Sequence, residues 1–550
     1  MKYHQEGSFY AAAAAAGLLL CASCTDDIAT TEDSDGASAG STSSSSSSSS
    51  TTSDPEPDEP MMSVPECADD TYVGRRTDGG ACGSYPGALG SWVGTSLGGE
   101  GVLASFCEYR WTPVGQAEPD LTALPKLGDG VASLVELCAR VTAQAGYLSA
   151  DQSLRKMISA EFMANIGKPL APMPPGPGIA PVELRLIDTV PKDILEKGLM
   201  PRSEHGLTLH DLSLGMLCDG GDCRARVYNN LGLPRISEAE EDRILGGYFG
   251  SLVDLARGIN EGVQQWDSGG MDARLVLVLA LGWEGIDKYG VSQFEGKSLQ
   301  EMLVDPEAPA DLLYVLASLS RASCRGALTV AAAGNSTAEP CVQKGPTGPG
   351  FFAAIPGPDA GLCEALGFAH SDADLKGAPS LVLAATHVTP EGGAPANARI
   401  GALAPLVAQG SAFGSVEGAG DLLTGSSVAS AVVGGAAAWV WSYYPTLTPA
   451  QVQQVLYDGG TPLPGQPIAE FSDAVEAHQV SICGALLAAC EGMGGTCSDF
   501  PACPKGSAVD PEIAVYLQAK LETPCVGEPG CMPPNLVSLG PGFPASGQSP

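Results

Sequence analysis

The sequence predicts an α/β protein, and three observations carry that prediction. Strand-like and helix-like segments alternate between Val182 and Cys490, and chemically competent side chains stand at the ends of those segments. A composition that is 44% apolar is ample for a large buried core in a chain of 550 residues. The 70 glycines and 43 prolines suit the many loops that such an alternation needs.

The first element is Val182-Glu183-Leu184-Arg185-Leu186-Ile187, which alternates as a strand does and ends in Asp188-Thr189. His205-Gly206-Leu207-Thr208-Leu209 then puts a histidine at the head of an apolar-periodic helix. Ala327 to Ala333 is a short buried-strand run that delivers Gly334-Asn335-Ser336. Leu423-Thr424-Gly425-Ser426-Ser427 is a turn of small residues, and it brings a serine to the start of an Ala-, Gly- and Val-rich helix reaching Trp439. Thr448-Pro449-Ala450-Gln451 has the form of a capping box with Pro at the first helical position. Its helix runs to Tyr457, and Gly459-Gly460 stops it. A last helix runs from about Ser481 to Cys490.

Each signal also has a plain local explanation. Asp after a strand is a common turn or cap residue, His-Gly opens many helices, Gly-Asn makes turns and Ser is a frequent N-cap. The joint order is what is specific. Acid, base, amide donor and nucleophile follow one another at element ends within a single alternation.

In that order the chain resembles the subtilisin-like serine proteases, the subtilases. The segments that carry the resemblance are Asp188-Thr189-Val190, His205-Gly206-Leu207-Thr208, Ala332-Ala333-Gly334-Asn335 and Gly425-Ser426-Ser427-Val428-Ala429, and the likeness extends from Val182 to Cys490. Four positions depart from the family pattern. Val190 replaces a Gly, Ser426 a Thr, Ala431 a Pro, and Ala280 the Ser of a Ser-Leu-Gly segment. The resemblance implies a three-layer α/β fold with a mostly parallel central sheet, and a catalytic Asp188, His205 and Ser427.

The residue types fit those roles. A serine hydroxyl is a poor nucleophile at neutral pH and needs a base within reach, which His205 supplies. Asp188 holds the ring in the useful tautomer, and Asn335 offers an amide N–H to the oxyanion beside the backbone N–H of Ser427. Of the six histidines, only His205 opens an element directly after a candidate acid strand; His210, five residues on, reads as a helix-surface residue. By the same resemblance, Ala280-Leu281-Gly282 and Ala332-Ala333-Gly334 line the pocket for the side chain before the cut bond. Neither holds a charged group, which points to an uncharged guest, with Trp283 and Glu284 at the rim.

The flanks point outside the cytoplasm. Residues 1–24 read as an export signal, with Lys2 followed by an Ala- and Leu-rich run, and Ala22-Ser23-Cys24 resembles a lipoprotein cleavage box with Cys24 as the lipidated residue. The alternative is ordinary signal cleavage and secretion. Residues 25–65 read as a solvated tether: from Thr25 to Gly74 there are twelve acidic residues and no Lys or Arg, with a serine run from Ser43 to Ser50. Residues 66–170 form an N-terminal region that is either an accessory module or a propeptide. The peptidase domain follows over 176–492, and a Cys-, Pro- and Gly-rich extension over 493–550.

Seventeen cysteines in an exported chain imply disulfides. Cys218 and Cys223 are spaced to close a small loop, whereas no Cys and His set completes a zinc site. A net charge of −35 excludes nucleic acid as a partner. No cofactor is called for; structural calcium and the oligomeric state stay open. The expected function is an exported, lipid-anchored serine endopeptidase acting on polypeptides. Its rival is a surface-binding lipoprotein on a catalytically degenerate protease scaffold, and the departures at Val190, Ser426 and Ala431 speak for that rival. An ester-cleaving serine hydrolase is disfavoured, because the turn at Ser427 lacks the Gly-x-Ser-x-Gly elbow.

Overall fold

In the computed structural model the chain divides into two units, residues 1–61 and 62–550. The structure describes residues 71–76, 81–86, 90–113, 141–142, 146–148, 159, 161–169, 181–189, 205–219, 222–236, 248–269, 273–283, 297–305, 308–335, 350–355, 357–358, 361–368, 380–390, 392–393, 395, 397–399, 401–413, 422–463, 476–495 and 497. The expectations for the signal, Cys24, the tether, the Pro-rich stretch 170–180, Val190, Glu284 and the tail beyond Cys497 lie outside the described residues.

An eight-stranded sheet organises the second unit. Its strands are β1 (Val182–Asp188), β2 (Arg226–Leu231), β3 (Arg274–Leu279), β4 (Leu328–Ala332), β5 (Val382–Val388), β6 (Leu406–Gln409), β7 (Thr461–Pro462) and β8 (His478–Gln479). They stand in the order β2-β1-β3-β4-β5-β6-β8-β7. All neighbours are parallel except β7, which runs antiparallel to β8.

The helices that cover it are α1 (His205–Leu217), α2 (Leu252–Ser268), α3 (Ala310–Cys324), α4 (Ser426–Tyr443), α5 (Pro449–Asp458) and α6 (Ile482–Gly492). Strand side chains alternate between two cores, as the pleat requires. Leu275, Leu277 and Leu279 of β3 join α2 and α3 on one face, while Val276 and Val278 join α1, α4, α5 and α6 on the other. The result is the expected three layers. Helix α4 is buried along its whole length, so its apolar composition reflects a central position and not a one-sided stripe. Helix α5 starts at a capping box, Thr448 with Gln451, and stops at Gly459.

The polar–apolar alternation of β1 suggests one wet face, yet all seven of its residues are buried. The charges are consumed internally. The Arg185 guanidinium donates to Glu183 Oε2 at 2.8 and 3.0 Å and reaches Asn230 and Gln265 under the end of α2.

Asp311, in the first turn of α3, is fully buried, and burial pushes its carboxyl from 3.8 up to about 7. Between those values the folded state keeps a proton that the unfolded chain has released. Stability therefore falls as pH rises through that window and levels off above it. Asp311→Asn is expected to remove this loss, raising stability at about pH 8 by up to ~4 kcal/mol relative to the parent and changing little near pH 4. Denaturant unfolding at the two pH values checks it.

Part of the N-terminal region is built into this domain. Residues 71–113 supply a four-stranded antiparallel sheet whose Cys82 and Cys107 are bonded. Val73, Leu103 and Phe106 enter the α2–α3 core, and Phe106 packs on Tyr314 with ring centroids 5.0 Å apart. Glu108 pairs with Arg257, and Glu100 and Asp267 together hold Arg321 and Arg325. Cys218 is joined to Cys223, Cys324 to Cys363, and Cys490 to Cys497. Among the described residues, no helix is long and apolar enough to cross a membrane.

Candidate active site

Strand order determines where the chemistry gathers. From β1 the chain passes to β2 on one side and then to β3 on the other, so the ends of β1 and β3 flank a switch in topology. In open α/β sheets the crevice beyond the carboxyl ends at such a switch is where ligands bind. Asp188 is the last residue of β1. The β1–β3 register ends at Leu186 opposite Val278, so two residues further on Asp188 is level with Ala280.

His205 opens α1 directly above Asp188. Its Nδ1–H donates to Asp188 Oδ2 at 2.8 Å and to Oδ1 at 3.0 Å, and both side chains are fully buried. The carboxylate also accepts from the Thr189 N–H at 2.7 Å. With Nδ1 protonated, Nε2 is the basic nitrogen, and nothing among the described residues hydrogen-bonds it. Gly206 permits the close approach of α1 to this loop: a Cβ there would lie 2.4 Å from the Thr189 carbonyl oxygen.

Ser427 stands in the first turn of α4, over the neighbouring strand end. Its Oγ donates to the Ala280 carbonyl at 2.8 Å and not to His205. Asp188 and Ala280 stand at the ends of adjacent strands about 4.8 Å apart, so the two hydrogen bonds hold imidazole and hydroxyl at the same end of the sheet. Asn335 follows β4, one strand further. Its Oδ1 accepts from the Ser426 N–H at 2.8 Å and from Ser426 Oγ at 3.0 Å, while Ser426 Oγ accepts from the Gly334 N–H at 3.1 Å. Gly425, with φ +135°, is the turn that makes this fit, since a Cβ there would sit 2.6 Å from Asn335 Nδ2. Ser426, where the resembled family has threonine, thus ties the loop before Ser427 to the amide.

The two segments expected as pocket walls are both at this edge. Ala280, Ala332 and Ala333 are buried, and Gly282 is half-buried. Leu281 turns into the α2–α3 core and does not present its side chain to the α4 face. Trp283, expected at a rim, is only 3% exposed and packs edge-on against Phe351 at 4.9 Å. Gly350 N–H donates to the Ala333 carbonyl and Phe351 N–H to that of Trp283, so one short segment bridges the two walls. Neither segment carries a charge, but the buried Arg399 lies against Gly334. Among the described residues, no group of three or more His, Cys, Asp or Glu side chains is placed to hold a metal ion.

The subtilase family model matches residues 308–471. Over that segment the chain is similar to the subtilases. The matched segment contains Asn335 and Ser427, whereas Asp188 and His205 lie upstream of it. The patellamide maturation protease PatA is 19% identical, with a TM-score of 0.35 over 58% of this chain and 99% of that one. The prenylagaramide maturation protease PagA is 16% identical, with a TM-score of 0.35 over 62% and 99%. MycP1 from Mycobacterium smegmatis is 17% identical, with a TM-score of 0.33 over 63% and 88%. No curated protein matches the chain.

Sequence reasoning missed several residues near the site. His210, read as a surface residue, donates from Nδ1 to Asn229 Oδ1 at 2.7 Å. The strand Gly146–Leu148 pairs with Leu422–Thr424, immediately before Gly425, and the pair Val141–Thr142 adds to Phe249–Gly250. These strands are two or three residues long and carry no periodic signal that a sequence window could register.

Proposed function

We propose that this protein is a serine endopeptidase that cleaves polypeptides through an acyl-enzyme. The observation that carries the reading is the buried Asp188–His205 hydrogen bond, which leaves Nε2 as the basic nitrogen beside the start of the Ser427 helix. Rotation of Ser427 about χ1 releases the Ala280 carbonyl and turns Oγ to His205 Nε2; serine side chains hop among three staggered positions, and catalytic contacts often tighten only when substrate binds. His205 takes the hydroxyl proton as Oγ attacks the carbonyl carbon, and Asp188 stabilises the imidazolium that forms. The N-terminus of α4 and the Asn335 amide face the charge that develops on the oxyanion. His205 then gives the proton to the leaving amine, and water repeats the sequence to free the acid.

One observation favours the rival reading of a degenerate scaffold: the Ser427 hydroxyl is spent on Ala280 and not on His205. Incubation with an unfolded polypeptide such as reduced casein separates the two. The peptidase reading expects new amino termini to accumulate. Turnover of activated esters with no peptide-bond cleavage, or no turnover at all, overturns it.

We further propose export and anchoring through lipid on Cys24, with the acidic tether lifting the catalytic domain off the membrane. Multiple acyl chains hold a protein stably where one holds it only marginally. Cys24→Ser is expected to shift the protein from the detergent-rich phase to the aqueous phase. Unchanged partitioning would remove the anchor from the account.

A further inference from the structure

Acid and base are 17 residues apart in the chain, so their alignment must be built by something other than sequence proximity. We infer that Asn229 is the positioning residue that locks Asp188 and His205 together; this rests on the peptidase reading above. Asn229 lies in β2, where the register sets it opposite Leu186 and two places before Asp188. Its Nδ2 donates to the Thr189 carbonyl at 3.1 Å and to the Gly206 carbonyl at 2.9 Å. Those carbonyls belong to the residues that directly follow the acid and the base. The amide therefore staples the loop after Asp188 to the first turn of α1.

Two further bonds complete the staple. The Gly206 N–H donates to Thr189 Oγ1 at 2.9 Å, a second cross-tie between the same two segments. The ring Nδ1–H of His210, one turn along α1, donates to Asn229 Oδ1 at 2.7 Å. The two carbonyls can only accept, so they fix which way the amide faces and leave Oδ1 toward His210, whose Nδ1 then carries the proton. With Oδ1 engaged by a donor, both hydrogens of Nδ2 are aimed at the two carbonyls, and the side chain's donor capacity is used in full. No reacting atom touches Asn229, so its effect on catalysis passes through the angle and distance of the Asp188–His205 pair. A displacement of about 1 Å in such a pair is enough to cost on the order of 10²-fold in rate.

Asn229→Leu keeps the volume and removes both donors. It is expected to lower kcat by about 10² with KM nearly fixed, because the pair acts on the chemical step and not on substrate binding. His210→Leu keeps both Nδ2 bonds but strips Oδ1 of its donor and loosens the side chain, so it should lower kcat by about tenfold, and His210→Asn, whose amide nitrogen stands in for the ring Nδ1, should restore most of it. A role confined to folding predicts lowered melting temperatures with kcat per folded molecule unchanged in both Leu variants. The same samples give a second readout that needs no turnover. The far-downfield proton resonance of His205 Nδ1–H, assigned by its loss in Asp188→Ala, should vanish or broaden in Asn229→Leu and persist in His210→Asn. If the wild-type protein turns over no peptide, the peptidase reading fails while this resonance still judges the staple. An unchanged resonance in folded Asn229→Leu overturns the inference; so does an unchanged kcat in an active enzyme. Should Asn229→Leu not fold, His210→Leu carries both measurements.

Discussion

Ser427→Ala is expected to reduce peptide turnover by about 10⁶ while leaving the fold intact. The magnitude follows from the division of labour at the site. Once the nucleophile is gone, neither a correctly held His205 nor an oxyanion donor has an attacking atom to assist, so a single substitution removes the combined effect. The structural cost is small by comparison. Ser427 Oγ makes one neutral hydrogen bond, to the Ala280 carbonyl, and such a bond contributes about 1 kcal/mol net. Turnover and melting temperature measured on one preparation check both halves of the expectation. Retained peptide turnover in Ser427→Ala would assign the chemistry to another group.

Asn335→Leu is the second large effect, and here the structure changes what a sequence argument alone would expect. From sequence, the choice lies between an oxyanion donor, whose loss lowers kcat by about 10²–10³, and a turn residue, whose loss lowers stability. The hydrogen bonds give Asn335 a structural role beside the proposed oxyanion one. Its Oδ1 carries the Ser426 N–H and hydroxyl, so leucine also strands a buried donor, at a cost of about 1–3 kcal/mol. The expected result is a lowered melting temperature together with a fall in kcat, KM staying nearly fixed. Ser426→Ala separates the contributions, because it removes the hydroxyl bond and keeps the Asn335 amide. That variant should lose some stability and much less of kcat. Full turnover per folded molecule in Asn335→Leu would remove the oxyanion role.

Much of the site was legible because its parts sit at the ends of elements with strong local signals. Val182–Asp188, the helix start at His205, the run into Gly334-Asn335 and the small-residue turn before Ser427 all appear where the residue pattern puts them. The capping box and stopping glycines fixed α5 for the same reason: caps are satisfied within a few residues of chain. What was not legible depends on contacts between distant segments. Nothing in Arg226–Leu231 marks Asn229 as a bridge, since its role appears only once β2 is laid beside β1 and α1 is set above them. Arg399 reaches Gly334 from a loop more than sixty positions on, so the absence of charge in the two wall segments said little about the charge beside them. The burial of β1 was hidden for a related reason. Glu183 and Arg185 satisfy each other inside the protein, and a pattern that commonly marks a solvent face here marks a buried ion pair.

Ser427 is proposed as an activated nucleophile and not as a helix-cap residue on an inert scaffold. Labelling of the purified protein lacking residues 1–65 with a fluorophosphonate, followed by peptide mass spectrometry, tests it most directly. The account predicts one adduct, on Ser427, that is lost in His205→Ala because the hydroxyl is then no longer activated. A folded protein that takes up no label, or takes it up on another residue with Ser427 unmodified, would contradict it.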